Sequence, residues 1–297
     1  MKTLSRLAPL ALALAALAGC AAVGPDYRLP AQAVINAPAA QGRLVGARGQ
    51  PAVAEAPLPD HWWRLYRNPD LDRLVTEALA ANTDLRVAQA NLERNRALVA
   101  EAKAAGQPNV ALNLDFGRAQ LSAEQYLHEG PLPPANLYDA GLSVSYELDL
   151  FGRIRRGIEA AQADDEAVAD ARDWVRAAVA ADVAQAYVEV CAAGDQLTAA
   201  RASLALQQKS LTLTRTLVDN GRGARLDVTR SQGQIDQFRA GIPTLEAAQR
   251  NALYRLATLT GKPPAQFEAD LARCATAPVL DQPIPVGDGA ALLKRRP

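Results

Sequence analysis

Residues 141–153 read GLSVSYELDLFGR, and the alternation they carry starts three residues earlier. The even positions Tyr138, Ala140, Leu142, Val144, Tyr146, Leu148 and Leu150 are apolar, while Asp139, Gly141, Ser143, Ser145, Glu147 and Asp149 lie between them. A period of two without exception predicts a strand with one apolar and one polar face. Upstream, Val110, Leu112, Leu114 and Phe116 alternate with Ala111, Asn113, Asp115 and Gly117, and a polar loop containing GPLPP at 130–134 separates the two runs. The pair therefore predicts an antiparallel β-hairpin over 109–150 joined by a long turn.

Both flanks of this hairpin carry helical signals. At 68–70 the string NPD offers Asn68 as an N-cap, Pro69 at the first helical position and an acid at the positive dipole end. From there Leu71, Ala78, Leu85, Leu92 and Val99 recur every seventh residue, interleaved with Leu74, Ala81, Ala88, Asn95 and Ala102, which predicts a helix over 69–105 closed by GQP at 106–108. After Gly152 no proline occurs before Pro243, and Val183, Val190, Leu197, Leu204, Leu211 and Val218 hold another heptad repeat. A helix over 153–219 would be about 100 Å long at about 1.5 Å per residue, which implies a coiled coil. The string DNGRG at 219–223 places a glycine where a helix C-terminus wants one. A further helix over 225–260 presents Leu226, Ile235, Phe238, Ile242, Leu245, Ala252, Leu256 and Leu259, with a kink expected at Pro243. GKPP at 261–264 closes it, and 261–297 is expected to be an irregular, Pro-rich tail.

With 32 basic and 32 acidic side chains in 297 residues, no net field draws the chain to nucleic acid. Its 49% hydrophobic content with only 5% aromatic suits long, closely packed helices. The first residues, MKTLSRLAPLALALAALAGC, have a basic start, an apolar run too short to span a bilayer and a small-residue end, which predicts an export signal over 1–19. LAGC at 17–20 resembles a bacterial lipobox, which would make Cys20 the acylated residue. Residues 20–59 are rich in Ala, Pro, Gly and Gln without a period, and are expected to form an extended, lipidated tether. Cys191 and Cys274 are far apart and lack CxxC spacing, so they are expected to be buried or free thiols rather than a bridge.

A two-stranded ribbon with an apolar face is not stable alone in water, so it needs a protein core or lipid over it. The helices commit their seams to partner helices, which leaves the hydrocarbon of an outer membrane, with Leu142, Val144, Tyr146 and Leu148 facing lipid. Tyr138 and Tyr146 would lie roughly 26 Å apart along a strand at about 3.3 Å per residue, the spacing of two aromatic girdles. The other use of such strands is a soluble sheet packed on one face. Elsewhere, His61 and His128 lack metal-ligand spacing, Trp62 and Trp63 suit an anchor for the first helix, and Lys262 has no phosphate cradle upstream. No triad, dyad or nucleotide fingerprint is present, so an enzyme is not expected.

CAAVGPDY at 20–27, HWW at 61–63 with NPDL at 68–71, YELDLFGR at 146–153 and LTG at 259–261 resemble the lipoprotein branch of the TolC-like outer-membrane factors, often called the NodT type. The resemblance implies a mainly α chain with a transmembrane β-hairpin, assembled as a homotrimer in which a β-barrel in outer-membrane lipid continues as an α-helical barrel across the periplasm. It implies a passive exit duct of a tripartite efflux pump, partnered by a periplasmic adaptor (membrane fusion) protein and an inner-membrane resistance-nodulation-division transporter. It implies lipid anchoring in the outer membrane of a Gram-negative bacterium, which Ala21 after the cysteine favours, and no cofactor beyond the covalent lipid on Cys20. GRGARLDV at 221–228 matches the family's tip pattern, so Asn220, Gly221, Gly223 and Asp227 would contact the adaptor or form the gate, although many members carry Ser where this chain has Ala224. Asp227 fits an ordinary N-cap equally well. Family members have two similar halves, the second beginning near an RRPD string, and RRP at 295–297 implies the first half only, apparently truncated. The alternatives are a periplasmic coiled-coil structural lipoprotein, tested by whether Leu142, Val144 and Leu148 pack on the chain's own helices, or a non-functional fragment of a duct.

Overall fold

The computed structural model describes residues 22–42, 44–47, 49–127 and 129–295. In chain order it contains β1 (Val53–Ala54), α1 (Pro69–Ala81), α2 (Thr83–Ala104), β2 (Asn109–Ala119), β3 (Ala135–Ser145), α3 (Arg153–Asp219), α4 (Arg225–Leu259), β4 (Ile284–Pro285) and α5 (Gly289–Arg295), with short 3-10 helices between them. The chain divides into two compact units, one of residues 1–28 with 92–167 and one of 29–91 with 168–297.

The first unit holds the hairpin. Strands β2 and β3 pair antiparallel, with Val110 opposite Val144, Leu112 opposite Leu142, Leu114 opposite Ala140 and Phe116 opposite Tyr138. Apolar residues thus meet apolar residues on one face, and the Phe116 and Tyr138 rings lie 5.0 Å apart. The strands end at Ser145, short of the expected 150, so Tyr146 and Leu148 lie outside the ladder.

The second unit is built around a seam. Leu71, Leu74, Val75 and Ala78 of α1 pack with Val179, Val183, Tyr187 and Val190 of α3 and with Leu253 and Leu256 of α4. The heptad residues Val183 and Val190 are fully buried, as the repeat requires of a seam position. Trp63 is buried beside them and its indole N–H donates to Asp72 Oδ1 at 2.9 Å. Asn68 caps α1 by accepting from the Leu71 N–H at 2.9 Å, with Pro69 following it.

Several expectations are corrected. The single helix expected over 69–105 is two helices separated by Asn82, whose backbone is extended at φ −59 and ψ 132. Its side chain accepts from the N–H groups of Asp84 and Leu85 at 2.9 and 3.1 Å, so a second N-cap stands inside an unbroken heptad pattern. Residues 22–59 are not simply extended: 3-10 helices occupy Val34–Asn36, Pro38–Ala40 and Val45–Ala47, and β1 pairs parallel with β4 of the tail. The tail is likewise ordered into two 3-10 helices, β4 and α5. Leu226 and Phe238 of the expected apolar face of α4 are exposed, and Pro243 lies inside that helix. The largest correction concerns the thiols: Cys191 and Cys274 form a disulfide with Cα atoms 4.6 Å apart, although 83 residues separate them. The bridge could not be foreseen from spacing because folding, not sequence proximity, brings the tail across α3.

Candidate functional site

Leu112, Leu114, Phe116, Tyr138 and Leu142 are between 67 and 76% exposed and Val144 is 65% exposed, so among the described residues nothing covers the apolar face of the hairpin. Tyr146 and Leu148 are exposed beyond the strand end. The opposite face carries Asn113, Asp115, Asp139, Gly141 and Ser143 and is also uncovered, except that Gly141 is half-buried. Leu137 breaks the polar pattern opposite Gly117. A ribbon of 11-residue strands with two different uncovered faces can divide an apolar medium from water. Among the described residues, no helix is long and apolar enough to cross a membrane.

The foot of the hairpin is rigidly built. Arg153 donates from Nε and Nη2 to the two oxygens of Glu147 at 2.9 and 2.6 Å, a paired geometry that fixes both side chains. Gly152, immediately before α3, has no side chain with which to cap it. Asp149 does so from further upstream, its Oδ1 accepting from the Ile154 N–H at 3.1 Å and its Oδ2 from the Arg155 N–H at 2.9 Å. Those amides, the Arg155 N–H foremost, hold the Asp149 carboxyl below the ordinary aspartate range. The same foot receives the N-terminal segment. The Val23 N–H donates to the Phe151 carbonyl at 2.9 Å. Arg156 donates to the carbonyls of Val23 and Gly24 at 3.2 and 2.9 Å and to Asp26 Oδ1 at 2.9 Å. Gly152 adopts φ +79, and a Cβ there would stand 2.5 Å from that of Ala22. Only glycine admits both that conformation and that approach. Sequence reasoning missed this dock: Arg156 has Glu159 three residues on as an ordinary ion-pair partner at 2.5 Å, so nothing beside it in sequence points to residues 23–26.

Cys20 lies outside the described residues, as does His128. Ala22, two residues after Cys20 in sequence, sits against Gly152 at the hairpin foot.

The turn between α3 and α4 holds the other site residues. Gly221 at φ +72 follows Asn220, its N–H donating to the Val218 carbonyl at 2.9 Å while the Arg222 N–H reaches the Leu217 carbonyl at 2.8 Å. This crossed pair of bonds is a Schellman C-terminus. Gly223 is pressed against Val218, where an added Cβ would come within 3.1 Å of Cγ2. Asp227 is not the N-cap of α4: Ala224 holds that position, and Asp227 is the third helical residue, its Oδ2 accepting from the Ala224 N–H at 3.3 Å. Alanine offers no side-chain oxygen in return, so the box is half made. Asn220, Gly221, Gly223 and Asp227 are all exposed. Among the described residues no cluster suitable for a metal occurs.

Three comparisons bear on this arrangement. Residues 74–262 match the family model described as outer membrane efflux protein. Nodulation protein T of Rhizobium leguminosarum bv. trifolii is 28% identical over 281 residues, covering 95% of this chain and 57% of the relative. The toluene efflux pump outer membrane protein TtgF of Pseudomonas putida is 33% identical over 293 residues, covering 95% of this chain and 58% of its own length. Among solved structures, the outer-membrane channel OprN superposes with a TM-score of 0.79 at 33% identity, over 92% of this chain and 59% of that one. The chain thus spans little more than half the length of these relatives.

Proposed function

Because the chain belongs to the outer membrane efflux protein family, we propose that it serves as a lipid-anchored element of an outer-membrane exit duct. In this reading the hairpin contributes two strands of a β-barrel, α1 to α4 contribute wall to a helical passage below it, and small molecules cross by passive movement. A homotrimeric assembly, a periplasmic adaptor and an inner-membrane resistance-nodulation-division transporter complete the pump, and the transporter sets which compounds travel. The barrel would further require strands from other chains or from sequence matching the rest of the relatives, because an open strand edge in lipid leaves backbone groups without partners.

The observation that carries this reading is the uncovered apolar face of β2 and β3. A spacer lipoprotein would need those side chains packed on its own helices, and they are not. Two further features support it. The segment following Cys20 is docked at the hairpin foot, so an acyl chain on Cys20 and the hairpin would enter the same membrane together. With Cys191 and Cys274 bonded to each other, Cys20 is the one left of three cysteines to carry lipid.

The test uses the acylated chain in vesicles of outer-membrane phospholipid. A tryptophan introduced by Leu142→Trp should be quenched by brominated acyl chains, and one introduced by Ser143→Trp should not. Equal quenching at both positions, or none at either, would remove the lipid-facing assignment and the duct with it.

A further inference from the structure

We propose that Cys191 and Cys274 form an oxidative latch, closed after export, which clamps the segment 267–277 across α3 and α4 and can close only when that segment is already seated. Three groups prepare the seat. Gly194, one turn after Cys191 on α3, forms a notch: a Cβ there would meet the Cys274 carbonyl oxygen at 2.0 Å. Gln249 of α4 lies across the same notch and donates from Nε2 to the Ala272 carbonyl at 3.0 Å and to the Val190 carbonyl at 3.4 Å. Leu271 is buried in the seam with Leu253 and Leu256, and Phe267 meets Tyr254 edge to face at 5.5 Å. These contacts bring the Cα atoms of the two cysteines to 4.6 Å, within the range a disulfide needs. Cys191 is fully buried, so its sulfur meets Cys274 once the segment lies in the notch.

The chemistry balances with one external reactant. A protein disulfide oxidant is attacked by one thiolate, forming a mixed disulfide and releasing one of the oxidant's sulfurs as a thiol. The second cysteine then displaces the oxidant's other sulfur, so the chain loses two hydrogens and the oxidant leaves as a dithiol. Cys274 is the partly accessible member of the pair, which assigns it the first attack and Cys191 the second. Such an oxidant acts outside the cytosol, so the timing of the step rests on the exported, outer-membrane reading of the chain, whereas the notch and the latch do not.

The latch is tested on the full chain purified from the envelope of a Gram-negative host and denatured in iodoacetamide without reductant. Cys191 and Cys274 are expected to escape alkylation; their quantitative alkylation would overturn the proposal. Gly194→Ala keeps both cysteines and favours the helix, yet is expected to leave at least half of the chains with both thiols free; full oxidation at the parental level would overturn the requirement for a seated segment. In a Cys191→Ala, Cys274→Ala double variant with unchanged helical circular dichroism, trypsin should cut after the exposed Arg273 about tenfold faster than in the parent, because the segment now opens locally; an unchanged rate would overturn the clamp. A leaderless chain isolated reduced from the cytosol and then treated with a purified thiol oxidase separates the two readings. Bridge formation there, in a chain that proves absent from the envelope when its leader is present, would sink the export reading while leaving the latch intact.

Discussion

The Asn82 amide donates to the carbonyl of Leu259 at 3.1 Å, joining residues 177 positions apart at a point where the chain is buried. The same side chain caps α2, so one residue ends a helix pair and ties it to the end of α4. Beside it Gly261, at φ +74, lies so close to the Ala81 carbonyl that a Cβ would come within 2.7 Å of its oxygen. Replacing Asn82 by Ala removes an N-cap, about 1 kcal/mol, and strands a buried carbonyl, about 1–3 kcal/mol. Asn82→Ala should therefore destabilise by about 2–4 kcal/mol, read as a lowered urea midpoint of helical circular dichroism. Asn82→Asp keeps the cap but faces a carbonyl with an acceptor, and should fall between the two. Equal stability of all three would show that the tie carries nothing.

The dock of the N-terminal segment makes a second prediction. Gly152→Val must adopt φ +79 and displace Ala22, and Arg156→Ala removes the donor that serves Val23, Gly24 and Asp26. Either should free residues 22–28 and speed trypsin cleavage after Arg28. Asp26→Ala should change the rate little, because the Asp26 side chain is 79% exposed and an exposed pair contributes little. The binding is predicted to lie in the backbone carbonyls, and a variant order with Asp26 most sensitive would contradict it.

Periodicity made the hairpin and the seam legible because both are repeats: Val110 to Phe116 with period two, Leu71 to Leu92 and Val183 to Leu211 with period seven. The break at Asn82 was masked for the same reason. Ala78 and Leu92 keep the same heptad register in the sequence whether or not the helix is interrupted between them, and only the string NTD at 82–84, a repeat of the cap signal at 68–70, marked the interruption. What no periodicity could disclose were the long-range seats: Gly194 under Cys274, Gly152 under Ala22 and Gly261 against Ala81. In each, the informative feature is a missing side chain, and a glycine's partner is not written beside it. The tail and the segment 22–59 looked featureless because each supplies half of a sheet, β1 with β4, whose hydrogen bonds exist only once both are present.

The strand faces should differ sharply in their response to charge. Leu114 stands at the centre of β2 opposite Ala140, on the apolar face, and Asp115 beside it points to the other. Leu114→Lys should cost roughly 2–4 kcal/mol of membrane insertion, the penalty at a bilayer midplane, whereas Asp115→Lys should be near neutral. Vesicle flotation of the hairpin-bearing chain after mild urea extraction measures this. Comparable losses at both positions would mean that neither face meets lipid.

Acid should loosen the region where α1, α4 and the tail meet. Arg73 donates to both oxygens of Glu268 at 3.0 and 2.7 Å, and Lys262 contacts Glu268 at 3.3 Å and Glu77 at 2.6 Å. Arg73 first, and Lys262 after it, holds the Glu268 carboxyl below the ordinary glutamate range. A depressed folded value means that the unfolded chain binds the proton more readily, so the stabilisation is full well above the unfolded value of about 4.3, starts to decline as the pH approaches it, and is lost as the pH falls through the folded value. Urea midpoints measured downward from pH 6 should therefore decline in the parent below about pH 5 more steeply than in Glu268→Gln. Parallel curves would show that the pair contributes nothing to the acid limb.

The turn between α3 and α4 separates a structural from a contact role residue by residue. Gly221 at φ +72 is bound into the Schellman end of α3, so Gly221→Ala should cost about 1–2 kcal/mol from left-handed backbone strain. Asp227 makes only the half box with the Ala224 N–H, is exposed and starts a 35-residue helix anchored elsewhere by Ile235, Leu253 and Leu256. Asp227→Ala should therefore leave the urea midpoint nearly unchanged. If Asp227 contacts an adaptor, as the family resemblance implies, its loss appears instead as weakened pull-down of that partner, and Ala224→Ser, which completes the box, should raise stability without altering capture. A drop in stability for Asp227→Ala as large as that for Gly221→Ala would assign Asp227 to the helix start. A drop in capture alone, with the midpoint held, would assign it to the partner.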